Sequence, residues 1–123
     1  MEAPSNETLD DILKKLLAAI PEIKAAAIVS QEGLPIASAL PAGTDEVRVA
    51  AMTAAILSLG ERAAQEMNKG EMEQIFVRGT EGYILVLAAG KSAVLTVSTT
   101  KDVRLGLIFL DCKRTCEKIA KII

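Results

Sequence analysis

The stretch AAAIVSQEGLPIASAL, residues 25–40, holds two apolar segments on either side of a short polar connector. Ala26-Ala27-Ile28-Val29-Ser30 precedes Gln31-Glu32-Gly33, and Leu34-Pro35-Ile36-Ala37-Ser38 follows it. A glycine closing so short a connector supplies the positive φ that a tight hairpin needs. Pro35 cannot donate to a β-ladder, so its strand is expected at a sheet edge with Pro35 near the start. The stretch reads as the first β-hairpin of a small α/β sheet.

Upstream of the hairpin, Leu9, Ile12, Leu13, Leu16, Leu17 and Ile20 recur at helical spacing. Thr8 suits the N-cap, Asp10 and Asp11 suit the positive end of the dipole, and Pro21 ends the helix. Downstream, Pro41-Ala42-Gly43 breaks the second strand. Thr44 or Asp45 then caps a long helix that runs to about Asn68 and is closed by Gly70. Val49, Met52, Ile56, Leu59, Ala63 and Met67 form one stripe, expected to lie on the sheet. Ala50, Ala51, Ala54, Ala55, Leu57 and Ser58 make much of the remaining circumference small or apolar as well. A helix apolar nearly all round is buried nearly all round, and a chain this short has little left to cover its second face. A partner subunit is the simplest cover.

Three further strands are expected at Met72–Arg78, Tyr83–Ala88 and Ala93–Ser98, joined by glycine-bearing connectors. The last two are apolar without alternation, so both faces of the sheet carry helices. A final helix begins near Asp102. Its buried stripe is Leu105, Ile108, Phe109, Cys112, Cys116, Ile119, Ala120 and Ile123, with Lys113, Arg114, Lys118 and Lys121 on the wet side. The fold class is therefore α/β: a three-layer α/β/α sandwich in the order αββαβββα, around one five-stranded antiparallel sheet. The second helix covers one face and the terminal helices the other. The 123 residues fit a single domain, 1–123, with residues 1–7 as a flexible tail.

Composition excludes several functions. Half of the residues are hydrophobic but only 2% are aromatic, which leaves no platform for stacking bases. A net charge of −2 argues against nucleic acid as a partner. The uncharged run Val49–Gly60, which no other exceeds, is too short to span a bilayer, so no membrane insertion is expected, and the acidic N-terminus is no signal peptide. A cytoplasmic location follows as the default. There is no histidine, which removes the commonest general base and metal ligand. Cys112 and Cys116 lack the further soft ligands a zinc site needs and read as small buried hydrophobes. Asp10–Asp11 and Asp45–Glu46 sit at helix starts and Glu71 with Glu73 beside a turn, where carboxylates have structural reasons to be. No catalytic, cofactor-binding or metal residue is expected, and the chain reads as no enzyme.

The order of elements, with Ile28-Val29-Ser30, Glu32-Gly33 and Leu34-Pro35-Ile36-Ala37-Ser38 after an amphipathic helix, resembles the roadblock family, the dynein light chain roadblock type. The small-residue second helix, the glycine-bounded strands and Leu105-Gly106-Leu107-Ile108 fit the same pattern, across roughly Leu9 to Ile119. The compact length is similar to that of stand-alone prokaryotic, MglB-like members. The resemblance implies a non-enzymatic dimer built by pairing second helices and aligning third strands. It also implies binding to a small Ras-like GTPase, as scaffold or activating partner.

On that reading the homodimer interface comprises Ala50, Ala54, Leu57 and Ser58 with Glu73, Ile75, Phe76 and Val77. The GTPase contacts fall on Arg48, Arg62 and Glu66. The alternative is a small-molecule sensor binding a ligand between helix and sheet. It requires polar groups converging inside a pocket, whereas Ser30, Ser38, Thr96 and Ser98 are expected at the surface or at strand edges.

Overall fold

The computed structural model describes residues 7–123. Residues 1–6 of the expected tail lie outside the described residues, and Glu7 lies in an ion pair with Lys15. Three helices and five strands follow in order: α1 Leu9–Ala19, β1 Ile23–Ser30, β2 Pro35–Ala39, α2 Glu46–Glu66, β3 Gln74–Gly79, β4 Gly82–Ala89, β5 Ala93–Thr100 and α3 Leu105–Ile122. All strand pairings are antiparallel, and the sheet order is β2-β1-β5-β4-β3. The apolar strands β1, β4 and β5 are therefore interior, and β2 and β3 are the edges.

Local chemistry explains the boundaries. Thr8 and Asp11 form a reciprocal capping box, each side chain accepting the other's backbone N–H at 3.1 Å. Those bonds hold the Asp11 carboxyl below its ordinary range, since they favour its charged form. In the β1–β2 turn Gly33 takes φ +93°, and the Ser30 Oγ accepts the Leu34 N–H at 3.0 Å. Pro35 opens the edge strand β2, as its missing donor requires.

The main core lies between the sheet and the terminal helices. Ile12, Leu13 and Leu16 of α1 and Ile108, Cys112, Cys116 and Ile119 of α3 close over Ala26, Ile28, Leu85, Leu87, Leu95 and Val97. Thr115, absent from the expected α3 stripe, is buried with them, while Ala120 and Ile123 are exposed. Among the described residues the opposite face has two small clusters, Ala27–Val29–Ala50 and Leu57–Val86–Val94. One helix covers a five-stranded face, so that face is unevenly covered.

Candidate functional site

The site is built around α2. Asp45 caps it by accepting the N–H groups of Val47 and Arg48 at 3.0 and 3.2 Å. The side resting on the sheet carries Ala50, Thr53 and Leu57. This corrects the expected orientation by roughly a quarter turn of the helix. Ala50 is 1% exposed and Leu57 3%, both spent within the protomer against Val29 and Val86, so neither is available to a second subunit. The reason is volume. Small side chains let the helix axis approach the sheet, and Gly60 leaves room for Ile75 beneath it.

The bulkier stripe expected on the sheet instead lies on the flank and outside of the helix. Val49 and Ile56 are half-buried, while Met52, Leu59 and Met67 are more than half exposed. Ala54 is half-buried beside the Gly33 turn, and Ser58 is exposed.

The β3 edge divides in the same way. Ile75 packs up against α2, whereas Phe76 lies on the opposite face between Tyr83 and Phe109, at ring-centroid distances of 6.3 and 6.0 Å. Phe76 and Val77 stay largely exposed, and Glu73, just before the strand, is exposed too. Val77 pairs with the exposed Ile84, which extends the apolar surface from the edge into the sheet.

Arg48, Arg62 and Glu66 share the outward face of α2 and are exposed. Arg62 and Glu66 form an i,i+4 ion pair at 3.7 Å, while Arg48 stands about 21 Å away along the axis. Exposed Ala51, Ala55 and Leu59 lie between them.

One feature escaped the sequence reading. Thr96 and Ser98 face α2 rather than solvent. With Thr53 they line a cavity of about 300 Å³ between the helix and the uncovered part of the sheet, walled by Met52, Ile56 and Ile84. The alternation Val94–Thr96–Ser98 carried the signal, since the three side chains share one face of β5. Ser30 and Ser38 behave as expected, Ser30 in the hairpin turn and Ser38 donating to Glu46 at 2.8 Å.

Among the described residues no cluster of His, Cys, Asp or Glu has the arrangement of a metal site. No helix there is long and apolar enough to cross a membrane. Burial pushes the thiols of Cys112 and Cys116 up to about 12, which leaves them protonated and unreactive at neutral pH.

Comparison with known proteins supplies the remaining findings. The sequence pattern of the Roadblock/LC7 domain matches residues 9–99. The uncharacterized protein MJ1340 of Methanocaldococcus jannaschii is 41% identical over 97 residues, 79% of this chain and 84% of the relative. Among solved structures, a Roadblock/LC7 domain from Streptomyces avermitilis superposes with a TM-score of 0.87 at 19% identity, covering 94% of this chain and 98% of that one. Myxococcus xanthus MglB superposes with a TM-score of 0.86 at 22% identity, covering 97% of both chains. The likeness to the two solved structures is one of fold.

Proposed function

Because this chain belongs to the Roadblock/LC7 domain family, we propose that it is a non-enzymatic homodimer that binds and regulates a small Ras-like GTPase. The family is one of protein-interaction domains, and the finer reading rests on one observation. The flank of α2, with Met52 and Leu59, and the sheet edge on the same face, with Val77 and Ile84, leave apolar groups uncovered on adjoining surfaces of one protomer, and Phe76 is exposed on the other face of the same edge strand. Exposed apolar surface that is contiguous and edged by an unpaired strand marks an interaction site. A two-fold copy laid against β3 covers both at once. The interface is then Met52, Ile56, Leu59, Phe76, Val77 and Ile84, with Ser58 and Glu73 at its rim.

The GTPase part follows from the family resemblance. The outward faces of two paired α2 helices offer Arg48, Arg62 and Glu66 from each copy, and one GTPase spans both. With no catalytic group assigned, any acceleration of hydrolysis acts by repositioning the GTPase's own residues.

Calorimetry of the wild-type protein against the small GTPases of its source organism, loaded with either nucleotide, tests the reading. One GTPase per dimer is expected, with affinity that depends on the nucleotide. Arg48→Glu and Arg62→Glu weaken binding, and Lys118→Glu on the far face leaves it unchanged. Absence of binding to every GTPase removes that part and leaves a dimeric interaction domain.

A further inference from the structure

We propose that the outer side of α3 is a docking surface for an anionic lipid bilayer. The helix lies flat on it, with Leu107 and Leu110 in the headgroup boundary and Lys113, Arg114, Lys118 and Lys121 on the lipid phosphates.

Charge on this helix is out of balance. Ile108, Cys112, Cys116 and Ile119 turn into the core. The exposed positions from Leu107 to Lys121 then carry four cations against the single carboxylate of Glu117. Asp111, half-buried, reaches Arg114 only at 4.0 Å, and Lys113, Lys118 and Lys121 have no ion-pair partner among the described residues. The other helix on this face is the contrast. Along α1, Lys14 and Lys15 are answered by Asp10, Asp11 and Glu7, and Lys15 with Glu7 forms an ion pair. The helix dipole accounts for Lys121, the basic residue of the last turn, but its effect fades before it reaches Lys113 and Arg114.

Apolar groups share the stripe. Leu107 and Leu110, 53% and 45% exposed, are three residues apart and so project from one side of the helix. Beside them, nothing lies within 4 Å of the place a Cβ on Gly106 would take, so no contact inside the protomer fills this surface. The kind of cation selects the partner. Three of the four are lysines, which are depleted from protein–protein interfaces, where arginine is enriched. A lysine is a flexible point charge that needs no fixed acceptor geometry. Its stem lies along apolar chains while its ammonium stays with the phosphates. On an anionic bilayer each such cation strengthens attachment about fivefold, and neighbouring leucines add apolar burial. The helix is not long and apolar enough to cross the bilayer, so attachment is peripheral. In the homodimer proposed above, both α3 stripes lie on the face opposite α2 and the attachment is doubled; only this doubling rests on the dimer.

The test is co-sedimentation of the full chain with vesicles of phosphatidylglycerol and phosphatidylcholine in equal parts, and with vesicles of phosphatidylcholine alone. Expected is saturable binding to the anionic vesicles in about 0.1 M salt, at least about tenfold weaker to the neutral ones and lost in about 0.5 M salt. Lys118→Glu with Lys121→Glu weakens binding more than about tenfold. Leu110→Ser weakens it about fivefold. All three positions are exposed, so the fold does not depend on them. Arg62→Glu, on the α2 face, sediments as the wild type does. The lysine variant in turn keeps its GTPase binding, so failure here is distinguishable from failure of that reading. The proposal is overturned if the chain does not sediment with anionic vesicles, if it binds neutral ones equally well, or if either α3 variant binds as the wild type does. It is overturned equally if the chain ignores vesicles but is retained on immobilised poly-glutamate through Lys118 and Lys121. That pattern means an acidic protein partner.

Discussion

Gly60 of α2 stands directly over Ile75 of β3, so closely that a Cβ added to the glycine would lie 2.4 Å from Ile75 Cδ1 and 3.1 Å from its Cγ1. A helix-interior glycine costs about 1 kcal/mol relative to alanine. Here it admits the side chain that ties the C-terminal half of α2 to the edge strand. The two positions are therefore coupled. Gly60→Ala alone is expected to destabilise the protein by about 1 kcal/mol, because the strain of displacing Ile75 outweighs the gain in helix propensity. Ile75→Ala alone costs about 2 kcal/mol as a partial cavity. In the double variant the new methyl occupies the vacated space, and the combined loss falls short of the sum by about 1 kcal/mol or more. Urea unfolding of the four proteins measures the coupling, and strict additivity would contradict it.

The orientation of α2 decides which substitutions reach a second subunit. Leu59→Glu, on an exposed position of the outer flank, is expected to give a folded monomer, since the protomer's own core does not use that side chain. Ala50→Glu places a charge against Val29 inside the protomer, and insoluble or unfolded protein is the expected result. Light scattering of the wild type and of Leu59→Glu at micromolar concentration distinguishes the two. A wild-type monomer would remove the dimer altogether.

Much of the architecture was legible because it is written in local chemistry. The hairpin around Gly33, the Thr8 cap, the stop at Pro21 and the double-sided burial of β5 and of Leu85–Leu87 in β4 follow from backbone constraints and hydrophobic period. The rotation of α2 was not legible, because a helix apolar all round has no single moment to orient it. What set the rotation was distance: Ala50 and Gly60 permit close approach, and only the assembled sheet shows where that matters. The cavity hydroxyls were missed for a related reason. Thr96 looks like any strand threonine until the incomplete reach of α2 across the sheet leaves it on the wall of the space beside the helix.

Gly82 is the position where glycine is indispensable. It has φ +155°, and a Cβ there would stand 1.9 Å from the Thr99 carbonyl oxygen, a backbone atom in the neighbouring strand that cannot swing aside. Gly82→Ala must separate β4 from β5 at the end of the ladder where Gly82 pairs with Thr100. A loss of about 3 kcal/mol or more is expected, beyond the usual range for one methyl group. Gly43, also at positive φ but with nothing within 4 Å of an added Cβ, provides the control. Gly43→Ala should cost only its backbone strain, about 1 kcal/mol. Equal losses at the two positions would argue against the close contact.

The buried thiols predict how stability changes in alkali. Cys112 and Cys116 lie one helical turn apart in the main core, and desolvation is the largest cause raising each from 9.0 to about 12. In the unfolded chain both ionise near their ordinary value; in the folded chain they stay protonated well above it. A group whose pKa is raised by folding contributes stability fully below its unfolded value. That contribution is lost as pH rises toward the folded value. Stability should therefore hold up to about pH 9 and then fall toward about pH 12. The loss approaches about 1.4 kcal/mol per pH unit for each thiol. Cys112→Ala with Cys116→Ala is expected to lower stability at neutral pH by a few kcal/mol through lost packing. The same pair of changes flattens the alkaline slope, because the groups that release protons on unfolding are gone. Urea midpoints at neutral pH, near pH 9 and midway to pH 12 separate the two effects, and an alkaline slope unchanged by removing both thiols would show that other groups govern it.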